Sequence, residues 1–442
     1  MMASMAMPSI AAPTRATGYA WYVAVLLAAG HLVSFIDRFV MSLVLEPLKA
    51  SLGVNDAQLG LLQGTSFVIL YTLAAVPLGQ LADRIHRRNL IIGGILVWSL
   101  ATALCGFATS FWTLFGARVL VGFGEAALVP AAMSLMAGYF PRSQLGRAVS
   151  LFTTGASLGK SAALIGGGQV LAMLTASGGL SLGVFGDFAP WQGTFLAMAL
   201  PGVLLAILML SVREPARAAT EVARPGLRDA WAYLGRHRAA FLLHTGAAAL
   251  TVLTIQSLLA WTPSFYVRFF ALTAPQAGLW IGTVTLVAAP LGHLSGGALT
   301  DLFQSRGSRA PVAPVIALGL TGVLPALAVF VANSSLMVSL VAFGLLTFFG
   351  TLAAPASLAG VQMLAPDRLR GILTALFLAA TTMIGIGIGP ALVGFTTDLM
   401  GGPQYLARAL AVVIATVAIA GVLLALASRR PFAAASAAAT AI

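Results

Sequence analysis

Charge is what this sequence lacks most. Only 8% of its 442 residues are Asp, Glu, Lys or Arg, against about a quarter in ordinary soluble domains. So few charges cannot cover a water-soluble protein of this length, which sets aside aqueous enzymes and disordered chains. Nucleic-acid binding is set aside as well, despite a formal net charge of +12, because the placement of the basic residues has another explanation. One cysteine, Cys105, leaves no intrachain disulfide and no Cys-built metal site. Five scattered histidines without paired His/Asp/Glu spacing give no metal site, and no cofactor is expected. What the chain holds in quantity is apolar sequence, 59% of it.

Crossing about 30 Å of hydrocarbon takes roughly 20 apolar residues as a helix. Twelve such runs occur, at 19–46, 57–82, 88–108, 110–139, 144–173, 189–212, 238–269, 275–300, 311–332, 335–363, 369–397 and 402–428. The reading is an all-α integral membrane protein. Residues 1–18 form a loose tail, 19–212 a first six-helix bundle, 213–237 a linker, 238–428 a second six-helix bundle and 429–442 a closing tail. The first run is too long for a signal-peptide core.

Of 24 Lys and Arg, 18 fall at the two termini or in the even-numbered loops, and only Lys49, Arg268 and Arg408 fall on the opposite side. By the positive-inside rule both termini are cytoplasmic, in a cell (inner) membrane. The linker carries six arginines, counting Arg213 and Arg238 at its edges, and its Leu227, Trp231 and Leu234 mark a short amphipathic helix at the membrane surface.

The halves repeat each other. Gly79-Gln80-Leu81-Ala82-Asp83 follows span 2, and Gly297-Ala298-Leu299-Thr300-Asp301 follows span 8, both trailed by arginines. Pro130 and Pro141 around span 4 return as Pro355 and Pro366 around span 10 with the same spacing. Two related six-helix halves point to a rocking-bundle transporter with its site between them near the midplane.

These residues resemble the major facilitator superfamily, whose signature after span 2 matches Gly79, Leu81, Ala82, Asp83, Arg84, Arg87 and Arg88, with His86 standing where the family has a second glycine. The resemblance implies that Asp83, Arg84 and Arg87, with Gly79 and the repeat's Asp301, gate the cytoplasmic ends of the bundles. Within the superfamily the resemblance sharpens towards spinster-like lysolipid and sphingolipid transporters, through Phe35-Ile36-Asp37-Arg38, Gly60-Leu61-Leu62-Gln63, Val97 to Thr102 and Arg118 to Ala126. Organic-anion symporters of the same superfamily share the Asp-Arg pair and the span 4 R-x6-E pattern.

Ionisable residues at membrane depth are functional candidates by default. Those here are Asp37, Arg38, Arg118, Glu125 and Lys160, with His31 nearby in span 1. Arg118 and Glu125, seven apart, share a helix face about 10 Å apart along the axis, so each needs a partner elsewhere. Arg118 is expected to pair with Asp37 or Glu125 across spans 1 and 4, either as a proton-coupling site or as a fixed ion pair. Arg38, Arg118, Lys160 and His31 are the substrate-binding or ion-pair candidates, and Asp37 and Glu125 the proton-coupling ones. Lys160 faces the cavity or snorkels to an interface; its Gly155-to-Ser161 stretch falls one residue short of a phosphate loop. His244 and His293 read as interfacial.

Spans 7 to 12 hold no evident buried acid except Asp398 near an outer end. Their candidate lining residues are Gln256, Trp261, Phe265, Tyr266, Phe348 and Phe349. One charged wall and one apolar wall suit an amphipathic solute. The expectation is a monomeric, proton-coupled secondary transporter among membrane lipids, moving a lysophospholipid-like molecule. The alternative is a symporter of small organic anions such as sugar acids. No paired nucleophile and base marks an enzyme.

Overall fold

The computed structural model describes residues 16–82, 84–215, 227–332 and 334–440. Backbone in hydrocarbon must satisfy its own N–H and C=O groups, so long apolar runs become helices. The first half is built from α1 (Gly18–Leu43), α2 (Leu45–Leu52), α3 (Asp56–Gln63), α4 (Thr65–Ala82), α5 (Arg87–Gly106), α6 (Phe111–Glu125), α7 (Leu128–Tyr139), α8 (Arg142–Ala176) and α9 (Pro190–Met209). A short α10 (Leu227–Arg236) precedes the second half: α11 (Arg238–Phe270), α12 (Ala274–Ser305), α13 (Val312–Ala332), α14 (Leu336–Leu364), α15 (Arg370–Leu399) and α16 (Leu406–Thr440). Among the described residues, twelve helical segments are long and apolar enough to cross a membrane, one for each expected run.

Two spans are broken, each for a local reason. Span 4 divides into α6 and α7 at Ala126 and Ala127. Pro130 has no N–H to donate to the Ala126 carbonyl, so the hydrogen-bond ladder fails there. Span 2 divides into α3 and α4 at Gly64. A Cβ at Gly64 would run into the Ile386 carbonyl of α15, and one at Gly60 into the Pro390 carbonyl. Glycine lets these two spans, from opposite halves, touch backbone to backbone.

The repeated prolines occupy matching places. Pro130 and Pro355 lie inside α7 and α14, while Pro141 and Pro366 stand just before the next span in each half. The halves meet where α15 packs on α3 and α4 and where α12 packs on α8. One end of the molecule carries Arg84, Arg306, Arg368 and Arg429; the other carries Lys49, Arg268 and Arg408.

The final helix departs from the expected boundary. Residues 429–440 continue α16 rather than forming a tail, because the alanine-rich stretch favours helix and Phe432 and Ala435 are buried against the second half. The amphipathic helix forms as α10, with Trp231 exposed and Tyr233 buried, its hydroxyl donating to the Leu364 carbonyl at 3.0 Å. The remainder of the linker, residues 216–226, lies outside the described residues, as do residues 1–15.

Candidate functional site

The deep charges of the first half gather where α1 crosses α6 and α4. Small residues bring the helices together: a Cβ at Gly155 or Gly159 of α8 would strike the Ala28 or Leu32 carbonyl of α1, and one at Gly122 of α6 the Phe67 carbonyl of α4. The pairing that results differs from the one expected. Glu125, the last residue of α6, takes its hydrogen bonds from α1: Arg38 Nη2 at 2.5 Å and Ser34 Oγ at 2.6 Å, both to Oε2. The Arg38 guanidinium also lies over the rings of Phe67 at 4.1 Å and Phe35 at 4.7 Å. A cation on aromatic faces is held without a second carboxylate.

Arg118 instead grips main chain. Its Nη1 donates to the Asp37 carbonyl at 3.1 Å and its Nε to the Leu62 carbonyl at 3.4 Å, leaving Nη2 without a partner. The physical reason lies in the helix angle of about 100° per residue. With Arg38 turned to Glu125, Asp37 points away, and its main chain rather than its carboxylate meets Arg118. The Asp37 carboxylate is fully buried, and among the described residues neither of its oxygens has a hydrogen-bond partner. Thr102 Oγ1 and Glu125 Oε1 are buried and unpartnered as well. Unpaired buried polar atoms are rare in a resting core.

His31, two turns before Arg38 on α1, has Nδ1 at 3.0 Å from the Phe152 carbonyl and its ring stacked on Phe152. Lys160 of α8 is half-buried, its Nζ above the rings of Phe35 and Phe39, and among the described residues no carboxylate pairs with it. Arg38, Phe39, Ser42 and Gln63 line a narrow gap closed from the second half by Gln256, Ala260, Ile386 and Pro390. Gln256 is thus the one second-half candidate brought to the charged cluster.

The others serve packing. Trp261 Nε1 donates to the Pro390 carbonyl at 2.9 Å; Phe265 stacks on Phe330 at 4.3 Å; Tyr266 receives a hydrogen bond from Ser339 Oγ. Phe349 fills the space over Gly322 of α13, and Phe348 meets it edge to face at 5.2 Å. His244 is buried rather than interfacial, with Nε2 at 2.8 Å from the Ser357 carbonyl, because glycine at Gly360 leaves room for its ring.

Of the gating candidates, Asp83 lies outside the described residues. Arg87 does not reach the second half. It donates to Glu214 Oε1 at 2.6 Å, to the Pro215 carbonyl at 2.9 Å and to the Ser134 carbonyl at 3.0 Å, tying α5 and α7 to the chain leaving α9. Burial pushes the Glu214 carboxyl up, but hydrogen bonds from Arg87 Nε and the Arg88 amide, with the Arg87 charge, outweigh it and hold the carboxyl below the usual range. Arg84 and Asp301 are exposed, and Gly79 faces Pro130.

The sequence reading missed a polar clasp at the opposite, arginine-poor end. Arg268 of α11 makes a bidentate pair with Asp56, both bonds 2.8 Å, and a further one to Glu46 at 2.9 Å. Lys49 reaches Asp56 at 2.5 Å, and Asp398 accepts from the amides of Asp56 and Ala57. Among the described residues, the Arg268 and Asp398 contacts and a Thr65 hydroxyl bond to the Gly387 carbonyl are the hydrogen bonds and ion pairs that join the halves. Acids at the ends of spans 1, 2 and 11 facing a lone arginine of span 7 were the signal available.

A family model described as Major Facilitator Superfamily matches residues 27–377. An MFS-type efflux pump of Mycolicibacterium smegmatis is 29% identical over 408 residues, 91% of each chain. A D-galactonate transporter of Escherichia coli is 26% identical over 422 residues, 88% of this chain and 91% of that one. The crystal structure of a bacterial homologue of the human lysosomal transporter Spinster, inward-facing and unoccupied, matches with a TM-score of 0.80 at 24% identity, covering 95% of this chain and 98% of that one.

Proposed function

The chain belongs to the major facilitator superfamily, and from that premise we propose that it is a proton-coupled secondary transporter of an amphipathic anion of the lysophospholipid class. The observation that carries this reading is the buried Asp37 carboxylate, unpartnered beside an Arg118 that is itself short of one partner. Two carboxylates and two guanidinium groups balance when all are ionised. A proton arriving on Asp37 leaves the cluster, with Lys160 nearby, positively charged. That state attracts an anion, and by linkage a bound anion favours the proton to the same degree.

The Arg38–Glu125 pair is the element that changes partners. An anionic headgroup reaching Arg38 through the Gln63 and Gln256 gap competes with Glu125 for the guanidinium, and a released Glu125 becomes a second proton acceptor. The aromatic faces around Arg38 and Lys160 accommodate an apolar segment beside the charge. The arginine-poor clasp supports a state closed on that side, and the arginine distribution supports cytoplasmic termini, so the solute reaches the cluster from the cytoplasmic side.

The galactonate relative favours a second reading, in which a small sugar acid takes the place of the amphipath. Proteoliposome uptake under an imposed pH gradient separates them, with a radiolabelled lysophospholipid compared against small carboxylates. Uptake of the carboxylate alone replaces the first reading with the second. Gradient-independent uptake of either solute refutes the coupling.

A further inference from the structure

We infer that the arginine-rich end of α16 is a binding site for the phosphate of an anionic glycerophospholipid, held by Arg309, Arg429 and Arg430. All three arginines line one concavity of about 590 Å³ between the α12–α13 turn and the end of α16, together with Leu426, Ala427 and Ala433. Among the described residues no carboxylate lines it, and none of the three arginines has an ion pair or side-chain hydrogen bond. The neighbouring concavity on the other side of Arg309 contrasts with it: there Asp367 already pairs with Arg370 at 2.5 Å.

The occupant follows from what lies below the arginines. Ile419, Leu423, Leu426 and Arg430 succeed one another at spacings of four, three and four residues, so they form one face of α16. The three apolar members are exposed, as is Leu318 of α13. From Ile419 to Arg430 this face runs about 16 Å, near half of the roughly 30 Å of hydrocarbon in a bilayer. A cationic mouth at one end of a leaflet-deep apolar strip matches a phosphate carrying acyl chains rather than a free anion. Helical continuation of α16 past its membrane-crossing stretch is what builds the site, since Arg429, Arg430 and Ala433 hold their positions only as turns of that helix.

Setting the topology also requires arginines on this side, but it requires neither a shared concavity nor selectivity. Each arginine near an anionic lipid is worth roughly a fivefold factor, so three give on the order of a hundredfold preference over a zwitterionic lipid. The test is lipid retention by the purified full chain, read by native mass spectrometry after equilibration with equal amounts of phosphatidylglycerol and phosphatidylcholine. The expected preference falls to near parity in R309Q/R429Q/R430Q and by about fivefold in R309Q alone, which also serves if the triple variant does not fold. R306Q, an exposed arginine of the same turn outside the concavity, leaves it unchanged. Equal loss in R306Q, or full retention in R309Q, overturns the site. Displacement of phosphatidylglycerol by inorganic phosphate in the low millimolar range overturns the lipid as its occupant. The experiment does not depend on membrane orientation or on transport, so its failure leaves the transport reading standing.

Discussion

Replacing Asp56 by asparagine tests whether the arginine-poor clasp sets the balance between open and closed states. In the closed form the Asp56 carboxylate receives both Arg268 bonds at 2.8 Å and Lys49 at 2.5 Å, and its side chain is fully buried. Removing one member of a buried pair costs about 3–5 kcal/mol. Asparagine keeps one acceptor, and Arg268 retains Glu46 at 2.9 Å, so about 2 kcal/mol is a fitting figure for the loss between the halves. The Lys49 contact lies within one half and survives opening. About 2 kcal/mol multiplies the open population roughly 30-fold, taking a minor state of about 1% to roughly a quarter. The assay is a spin-label distance measurement between Ser51→Cys and Gln404→Cys, both exposed at this end, in a Cys105→Ala background. A longer-distance component is expected in D56N and not in K49Q. An unchanged distribution in a folded D56N protein, or an equal shift in K49Q, refutes the reasoning.

Further outcomes follow from the same geometry. Gly60→Ala places a methyl group against the Pro390 carbonyl and should lengthen the same spin-label distance as D56N does. In Asp37→Asn, proton-driven uptake should fall more than tenfold while solute exchange without a gradient continues; intact gradient-driven uptake would remove Asp37 from the coupling. Glu125→Gln removes the negative charge that holds Arg38 at 2.5 Å, and a tighter apparent affinity for the anion is expected in binding titrations. Because the Glu214 carboxyl is held below the usual range, the stability it gives is present at neutral pH and lost as pH falls through that lowered value. E214Q should therefore melt below the parent protein at pH 7, by an amount corresponding to about 1 kcal/mol, and the gap should narrow below about pH 4.

Hydropathy alone determined the number, order and approximate ends of the twelve spans, because burying some 20 apolar residues in hydrocarbon is a property of each segment by itself. The six-and-six division and the repeat were readable for the same reason, the paired G-x-L-x-D and proline spacings being local features. Glu125 and Arg38 were also identifiable from sequence as costly charges at depth. What the sequence could not choose was their partner. Whether Arg118 meets a carboxylate or the Asp37 main chain depends on how α1 is rotated against α6, which the close approaches at Gly122, Gly155 and Gly159 fix. Five of the six second-half candidates were absorbed into helix packing, since an aromatic ring reads the same in sequence whether it faces a cavity or a neighbouring helix. The Asp56–Arg268 clasp joins residues more than 200 positions apart, and only the docking of the two halves brings such charges within Coulombic reach.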